Sequence, residues 1–127
     1  MDRVPSGLDD LVNEAFCYVT TIGRVSRRLH RIEIWFALDG STLYMLSGGG
    51  HRSDWVRNLT KSPDVGVRIA HRELKGRARI VTDDLEQERA RDLLVSKYQP
   101  GYGGDLGSWR NRALPVAVDL DVSGEDA

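Results

Sequence analysis

Residues 46–59, LSGGGHRSDWVRNL, combine the features best suited to binding an anion. Three glycines follow a predicted strand, and His51, Arg52 and Ser53 come directly before a predicted helix. Glycines let backbone N–H groups approach a ligand closely, and a helix start adds N–H groups without a helical partner. Arginine can bind a phosphate through two parallel hydrogen bonds. The segment therefore predicts a phosphate site; the alternative is a flexible connection between strand and helix.

A second basic segment, TTIGRVSRRLHR, covers residues 20–31. The segment predicts the end of a strand followed by a glycine turn. Its guanidinium and hydroxyl groups are close together in sequence and suit phosphate or carboxylate recognition. The alternative is the solvent-exposed end of a hairpin. The polar side chains of the turn are Arg24, Ser26, Arg27, Arg28, His30 and Arg31.

The sequence lacks the common catalytic motifs. The glycines have neither the spacing of a P-loop nor the context of a dinucleotide fingerprint, and no G-x-S-x-G segment is present. His30, His51 and His71 lack zinc-ligand spacing. The lone Cys17, in the apolar run AFCYVTTI, is predicted to be a core residue rather than a nucleophile. If the chain is an enzyme, a bound cofactor is therefore expected to supply the chemistry, with no metal.

Charge is distributed unevenly along the 127 residues, although the formal net charge is only −1. Residues 24–79 hold twelve Lys or Arg against five Asp or Glu, and the two ends are acidic. A local positive surface of this kind attracts anionic small molecules, although cations on exposed strand edges also discourage aggregation. The near-zero net charge and the lack of a spaced aromatic platform count against nucleic-acid binding.

Length and composition predict one domain over residues 1–127. We expect no contact with the membrane interior, because no apolar run approaches the roughly 20 residues of a membrane span. The lone cysteine and the absence of an apolar leader predict a cytoplasmic location.

Hydrophobic patterning predicts the order α, β, β, β, α, β, β, α, β, and so a mainly β fold: a six-stranded antiparallel barrel with flanking helices. The first helix opens at Pro5-Ser6 with Leu8, Leu11, Val12 and Ala15 on one face. Ser53 is expected to cap the second helix, and Asp83 with Glu86 forms a capping box for the third, which ends near Tyr98. The predicted strands are residues 16–22, 30–38, 42–46, 65–70, 74–81 and 113–122, with a glycine-rich loop at 99–108.

Four segments between residues 19 and 69 carry a resemblance to a known family. They are VTTIGRVSRRLHRIEIWF, DGSTLYMLSGGG, SDWVRNL and SPDVGVRI, in that order and closely spaced. This layout resembles the deazaflavin-dependent nitroreductase-like proteins, which belong to the split β-barrels that include the pyridoxamine 5′-phosphate oxidases. The C-terminal half agrees only through a strand, a helix and a terminal strand.

The resemblance implies a split β-barrel, a homodimer and a flavin-type cofactor, either coenzyme F420 or its competitor FMN. It assigns the cofactor phosphate to the glycine segment with the helix start, and the ring to the strand after the basic turn. The basic turn would contact the phosphate or the anionic polyglutamate tail. The implied cofactor-binding residues are Arg24, Ser26, Arg31, Ile32, Glu33, Ile34, Trp35, Ser47, Gly48, Gly49, Gly50, His51, Arg52, Ser53, Trp55 and Arg57.

The implied activity is hydride transfer from reduced F420 to an electron-poor small molecule: an activated alkene, a quinone or a nitro compound. Tyr98, Tyr102 and Trp109, in and beside the glycine-rich loop, are candidates for the substrate wall, or else ordinary loop and core aromatics. The family turn usually reads G-R-K-S-G, whereas residues 23–27 read GRVSR, so an arginine replaces the second glycine. The alternatives are an FMN-dependent oxidoreductase of the same fold and a non-catalytic binder of F420 or flavin.

Overall fold

The computed structural model describes residues 8–122, and within them seven antiparallel strands form one curled sheet. The spatial order is β2-β1-β5-β6-β7-β4-β3. The predicted antiparallel split β-barrel is confirmed, but the predicted count of six strands is wrong. The strands are β1 (Cys17–Ile22), β2 (Leu29–Ile34), β3 (Ala37–Asp39), β4 (Thr42–Ser47), β5 (Asp64–Ile69), β6 (Arg72–Ile80) and β7 (Leu114–Asp121).

The extra strand arises because the predicted strand 30–38 breaks into β2 and β3. The backbone N–H of Phe36 donates to the Tyr98 hydroxyl at 3.0 Å, and that hydroxyl lies 3.1 Å from the Phe36 carbonyl oxygen. The side chain of Phe36 is fully buried. The backbone at this position therefore bonds a side chain instead of a neighbouring strand, and the ladder ends at Ile34.

Three helices flank the sheet: α1 (Asp54–Lys61), α2 (Asp84–Tyr98) and α3 (Gly107–Arg112). The sequence predicted α1 and α2, but α3 was missed because it follows a glycine-rich loop and has only six residues. Tertiary contacts with α2 hold it: Arg91 donates to the carbonyl oxygens of Arg110 and Ala113 at the end of α3. Across residues 8–122, no helix is long and apolar enough to cross a membrane.

The first predicted helix is mostly wrong. Pro5 and Ser6 lie outside the described residues, and the part that is described contains one short 3₁₀ turn, Asp9–Leu11. Leu8 and Leu11 are buried, as the predicted apolar face requires, whereas Val12 and Ala15 are exposed. A single turn can bury only two of the four positions.

The start of α2 confirms half of the predicted capping box. The Asp83 carboxylate accepts the backbone N–H of Glu86 at 2.9 Å. The Glu86 carboxylate instead forms two 2.8 Å bonds with Arg79 and accepts the Tyr44 hydroxyl at 2.6 Å. The bonds with Arg79, and to a smaller extent the bond with Tyr44, lower the pKa of Glu86 to about 2. Glu86 thus fastens α2 to β6 and β4 rather than completing the cap.

The interior of the curled sheet is apolar and includes Cys17, which has no solvent exposure. Burial raises the pKa of its thiol to about 12, so Cys17 stays protonated and unreactive at neutral pH. The predicted core assignment is confirmed. The largest fully buried side chains are Phe36, Leu8, Leu43, Met45, Leu59, Ile69, Leu94, Val19, Val56, Val67, Val81 and Val116.

Candidate functional site

A buried asparagine joins the basic turn to helix α1. Asn58 Oδ1 accepts the backbone N–H of Arg24 at 3.1 Å and one guanidinium N–H of Arg24 at 2.9 Å. Its amide nitrogen donates to Thr21 Oγ1 at 3.2 Å, and both Asn58 and Thr21 are almost fully buried. The guanidinium also reaches Asp54 at 3.1 Å. These bonds fix the turn after β1 against the first two turns of α1.

The basic turn closes tightly on itself. Gly23 donates its N–H to the Arg28 carbonyl at 2.7 Å, and a Cβ at Gly23 would lie 2.5 Å from Ser26 Oγ and 2.6 Å from His30 Nε2. A side chain at this position would require Ser26 and His30 to move. Arg27 adopts φ +63, so the arginine that replaces the family's second glycine keeps the left-handed backbone that glycine would favour. The altered sequence therefore still forms a closed turn.

A pocket of about 460 Å³, here called the basic pocket, opens between this turn, the start of β2 and the start of α1. Arg31 lies at its wall, with its guanidinium 4.4 Å from the centre of the Tyr18 ring. The described lining residues are Thr21, Gly23, Arg24, Val25, Ser26, His30, Arg31, Ile32, Asp54, Trp55 and Asn58.

The glycine segment 48–50 lies between β4 and α1. The buried Ser47 hydroxyl bonds the Gly50 carbonyl at 3.0 Å and Ser53 Oγ at 2.8 Å. Ser53 occupies the N-cap position of α1 as predicted, but its side chain makes no capping bond, because its hydroxyl faces Ser47. Gly50 has φ +62, which favours glycine. This arrangement leaves the first N–H groups of α1 without a side-chain cap.

A second pocket of about 440 Å³, the aromatic pocket, lies at the other end of β2. Trp35 is its central wall: its ring centre is 6.0 Å from that of Tyr102 and 5.7 Å from that of Trp109, both edge-on. On its other face Trp35 stacks on Tyr98 at 4.2 Å. The described lining residues are Phe16, Glu33, Ile34, Trp35, Leu46, Tyr102, Leu106 and Trp109.

The two tyrosines near Trp35 differ in what their hydroxyls bond. The Tyr98 hydroxyl donates to the Ala15 carbonyl at 2.8 Å and accepts from Phe36, and burial raises the pKa of Tyr98 to about 12. The Tyr102 side chain is 48% exposed, and its hydroxyl has no partner among residues 8–122. Tyr98 therefore positions Trp35, whereas Tyr102 is free to contact a ligand.

The predicted site residues fall into three groups. The basic pocket is lined by Arg24, Ser26, Arg31, Ile32 and Trp55. The aromatic pocket is lined by Glu33, Ile34, Trp35, Tyr102 and Trp109. The members of the third group line neither pocket: Ser47, Gly48, Gly49, Gly50, His51, Arg52, Ser53, Arg57 and Tyr98.

Sequence reasoning missed the role of Asn58, the residue that positions the basic turn. The signal was present, since Asn58 is the polar member of the W-x-x-N-L segment on an otherwise apolar helix face. Leu46, Leu106 and Phe16 were also missed as walls of the aromatic pocket. Nothing in their local sequence separates them from ordinary core or loop residues.

Comparison with known proteins identifies the family. The model of the F420H(2)-dependent quinone reductase family matches residues 9–121. The chain belongs to this family. It is an oxidoreductase, and its cofactor is coenzyme F420. No curated protein matches the chain in sequence.

Solved structures show the same fold at low identity. A structure described as an F420 reductase has a TM-score of 0.66 and 20% identity, over 93% of this chain and 96% of that one. A conserved hypothetical protein from Mycobacterium tuberculosis has a TM-score of 0.72 and 18% identity, over 92% and 80%. A putative pyridoxamine 5′-phosphate oxidase from Listeria innocua has a TM-score of 0.67 and 20% identity, over 90% of each chain.

The residues of this F420H(2)-dependent quinone reductase family member fit an anionic cofactor with a flat ring. Several exposed cations around the basic turn and the glycine segment have no carboxylate partner within the described chain. A Cβ at Gly48 would meet no atom within 4 Å, so backbone there is open to a ligand. Residues 8–122 contain no cluster of metal-ligating side chains. The unpaired cations are Arg27, Arg28, Arg31, Arg52 and Arg57.

Replacing Asn58 tests the bonds that hold the basic turn. We expect Asn58→Ala to lower the free energy of unfolding by about 1–3 kcal/mol, because buried groups on Thr21 and Arg24 lose their partner. Urea denaturation measures this change in the free energy of unfolding. The control is Thr60→Ala on the same helix, whose hydroxyl bonds only the Val56 carbonyl at 2.8 Å; it should change stability by no more than about 0.5 kcal/mol. Equal effects of the two variants would contradict this role for Asn58.

Replacing Arg27 tests whether the turn stores backbone strain. Arg27→Gly should raise the free energy of unfolding by about 1 kcal/mol, because glycine adopts φ +63 without a steric penalty. Arg28→Gly removes a cation from the same turn without relieving strain, and should be neutral or destabilising by up to about 1 kcal/mol. Thermal melts of both variants give the comparison. Destabilisation by both would show that the left-handed residue carries no strain.

Proposed function

We propose that the chain uses reduced F420 to reduce a quinone, and that strand β2 aligns the two ends of its site. The observation that carries the proposal is the position of β2: Arg31 and Ile32 line the basic pocket, and Glu33, Ile34 and Trp35 line the aromatic pocket. Bound F420 supplies a hydride from its ring.

The basic end of the site binds negative charge. Arg31 and Ser26 line the basic pocket, and Arg52 follows the glycines at the start of α1. Asn58 and Asp54 hold the guanidinium of Arg24, so Arg24 is fixed in place before a ligand arrives. A preorganised cation loses less conformational freedom on binding and so contributes more affinity.

The aromatic end offers an apolar wall to flat groups. Trp35 and Trp109 meet edge-on, and Leu46 and Leu106 close the apolar wall. A quinone is flat and electron-poor, which suits an aromatic wall. Tyr102 is our candidate for the hydrogen-bond or proton donor to the quinone oxygen, because its hydroxyl has no other partner in the described chain.

Direct binding and turnover test this function. We expect the chain to bind oxidised F420 with a Kd in the low micromolar range, or about −8 kcal/mol. Arg31→Ala and Arg52→Ala should each weaken binding about tenfold or more, since a charge-assisted hydrogen bond contributes about 1.5–3 kcal/mol. Fluorescence titration measures binding. A screen with reduced F420 and a naphthoquinone, an activated enone or a nitroarene then measures turnover.

The matched control is Arg89→Ala, an exposed arginine that pairs with Asp39 at 2.6 Å and lines neither pocket. It should bind F420 like the parent chain. FMN is titrated in parallel, because one structural neighbour is described as a putative pyridoxamine 5′-phosphate oxidase. Binding of F420 with no turnover of any acceptor would contradict the reductase proposal and favour a cofactor-binding protein. Preferential binding of FMN would contradict the cofactor assignment.

The chain is also proposed to be a homodimer in the cytoplasm. One structural neighbour, with a TM-score of 0.67 and 20% identity, is described as a domain-swapped dimer. Two large apolar side chains near one edge of the sheet are exposed: Leu29, the first residue of the edge strand β2, at 73%, and Val25, in the preceding turn, at 86%. The buried free thiol of Cys17 supports a reducing compartment.

Light scattering tests the homodimer. The parent chain should have twice the mass of one chain, and Leu29→Asp should shift the equilibrium toward monomer because it places a charge in the apolar contact. Leu85→Asp is the control, since Leu85 is similarly exposed, at 82%, but lies on α2. A parent chain that is monomeric at all concentrations would contradict the dimer.

A further inference from the structure

A third pocket, of about 300 Å³, lies behind the aromatic pocket. The two share Trp35 and Tyr102 as walls, so these side chains separate one space from the other. We call it the lysine pocket, because Lys97 is its one ionic lining residue in the described chain. Its other walls include Asn13, Ala15, Trp35, Tyr98 and Tyr102.

Lys97 places a half-buried ammonium group in this otherwise uncharged space. Its Nζ donates to the Phe36 carbonyl at 2.9 Å and lies 3.7 Å from the centre of the Phe36 ring and 5.2 Å from that of Tyr98. Within residues 8–122 it has no carboxylate within ion-pair distance. A partly desolvated cation without a counter-ion is costly, and an entering anion offsets that cost.

Holding the bend between β2 and β3 does not require the charge of Lys97. The Tyr98 hydroxyl accepts the Phe36 N–H at 3.0 Å and has its one proton nearest to the Ala15 carbonyl, at 2.8 Å, so Lys97 is the main donor to the Phe36 carbonyl. A neutral donor of similar length could bond that carbonyl without the cost of desolvating a charge.

We propose that the lysine pocket binds an acidic substituent of the acceptor, so that the preferred quinone carries a carboxylate. This inference rests on the proposed function, because it assumes that the acceptor occupies the adjoining aromatic pocket. The quinone ring then lies against Trp35, while the carboxylate reaches around the exposed side of Tyr102, which lines both pockets, to the ammonium of Lys97. Neutral quinones lack this ion pair and bind less tightly.

The groups around Lys97 give the preference a defined pH dependence. Burial lowers the pKa of Lys97 to about 8, while the Glu14 carboxylate acts in the opposite direction. Burial raises the pKa values of Cys17 and Tyr98 to about 12, so both are neutral where Lys97 titrates. The ammonium is present below pH 8 and lost above it. The preference for the acid over the ester should therefore weaken as the pH rises through about 8.

Calorimetric titration of the full chain, saturated with oxidised F420, tests the proposal without turnover. The ligands are a naphthoquinone carboxylate and its methyl ester. The parent chain should bind the acid about tenfold tighter than the ester, which corresponds to about 1.4 kcal/mol. Lys97→Met should abolish that preference by weakening the acid alone, and Lys97→Arg, which retains the charge, should preserve it. The control is Lys61→Met, an exposed lysine on α1.

The outcomes separate this inference from the proposed function. Equal binding of acid and ester by the parent chain would overturn the lysine pocket, as would a Lys97→Met variant that weakens both ligands equally. Thermal melts confirm that each variant is folded. If the acid preference is present but reduced F420 turns over neither quinone, the pocket stands and the reductase proposal fails. If both quinones turn over but the acid is not preferred, the reductase proposal stands and the lysine pocket fails.

Discussion

The structure of the site depends on one buried polar side chain, Asn58. Its amide bonds Thr21 at the end of β1 and Arg24 in the basic turn, and so joins two segments more than thirty residues apart in sequence. A buried amide without these partners would be destabilising, so the turn and α1 must fold against each other. Because the turn leads directly into β2, the same bonds determine where that strand starts and which pocket Arg31 faces.

We propose that strand β2 carries the function, because its two ends lie in different chemical environments. Cations without carboxylate partners surround its first half, and aromatic rings surround its last residues. The hydroxyl of Tyr98 ends the strand by bonding Phe36, and the Tyr98 ring stacks on Trp35 at 4.2 Å. One tyrosine of α2 thus sets both the length of the strand and the orientation of the central aromatic wall.

The sequence was sufficient for most of the sheet, because alternation and turn residues are local signals. It was not sufficient for the break at Phe36, which depends on a hydroxyl 62 positions away. Helix α3 was missed because contacts with Arg91, rather than helix propensity, hold it. The family resemblance identified the segments that contain β1, β2, β4, α1 and β5. It did not show that the bonds of Ser47 and Asn58 keep them in place.

We propose that F420 lies along β2, with its anionic groups in the basic pocket and its ring reaching the aromatic pocket, which also takes the acceptor. The most direct test is NMR mapping of amide and indole shifts in the full chain as oxidised F420 is added. We expect the largest shifts in residues 23–35 and 48–53 and in the indole of Trp35. Shifts confined to β5 and β6, or to the basic turn without Trp35, would contradict a single site that spans both pockets.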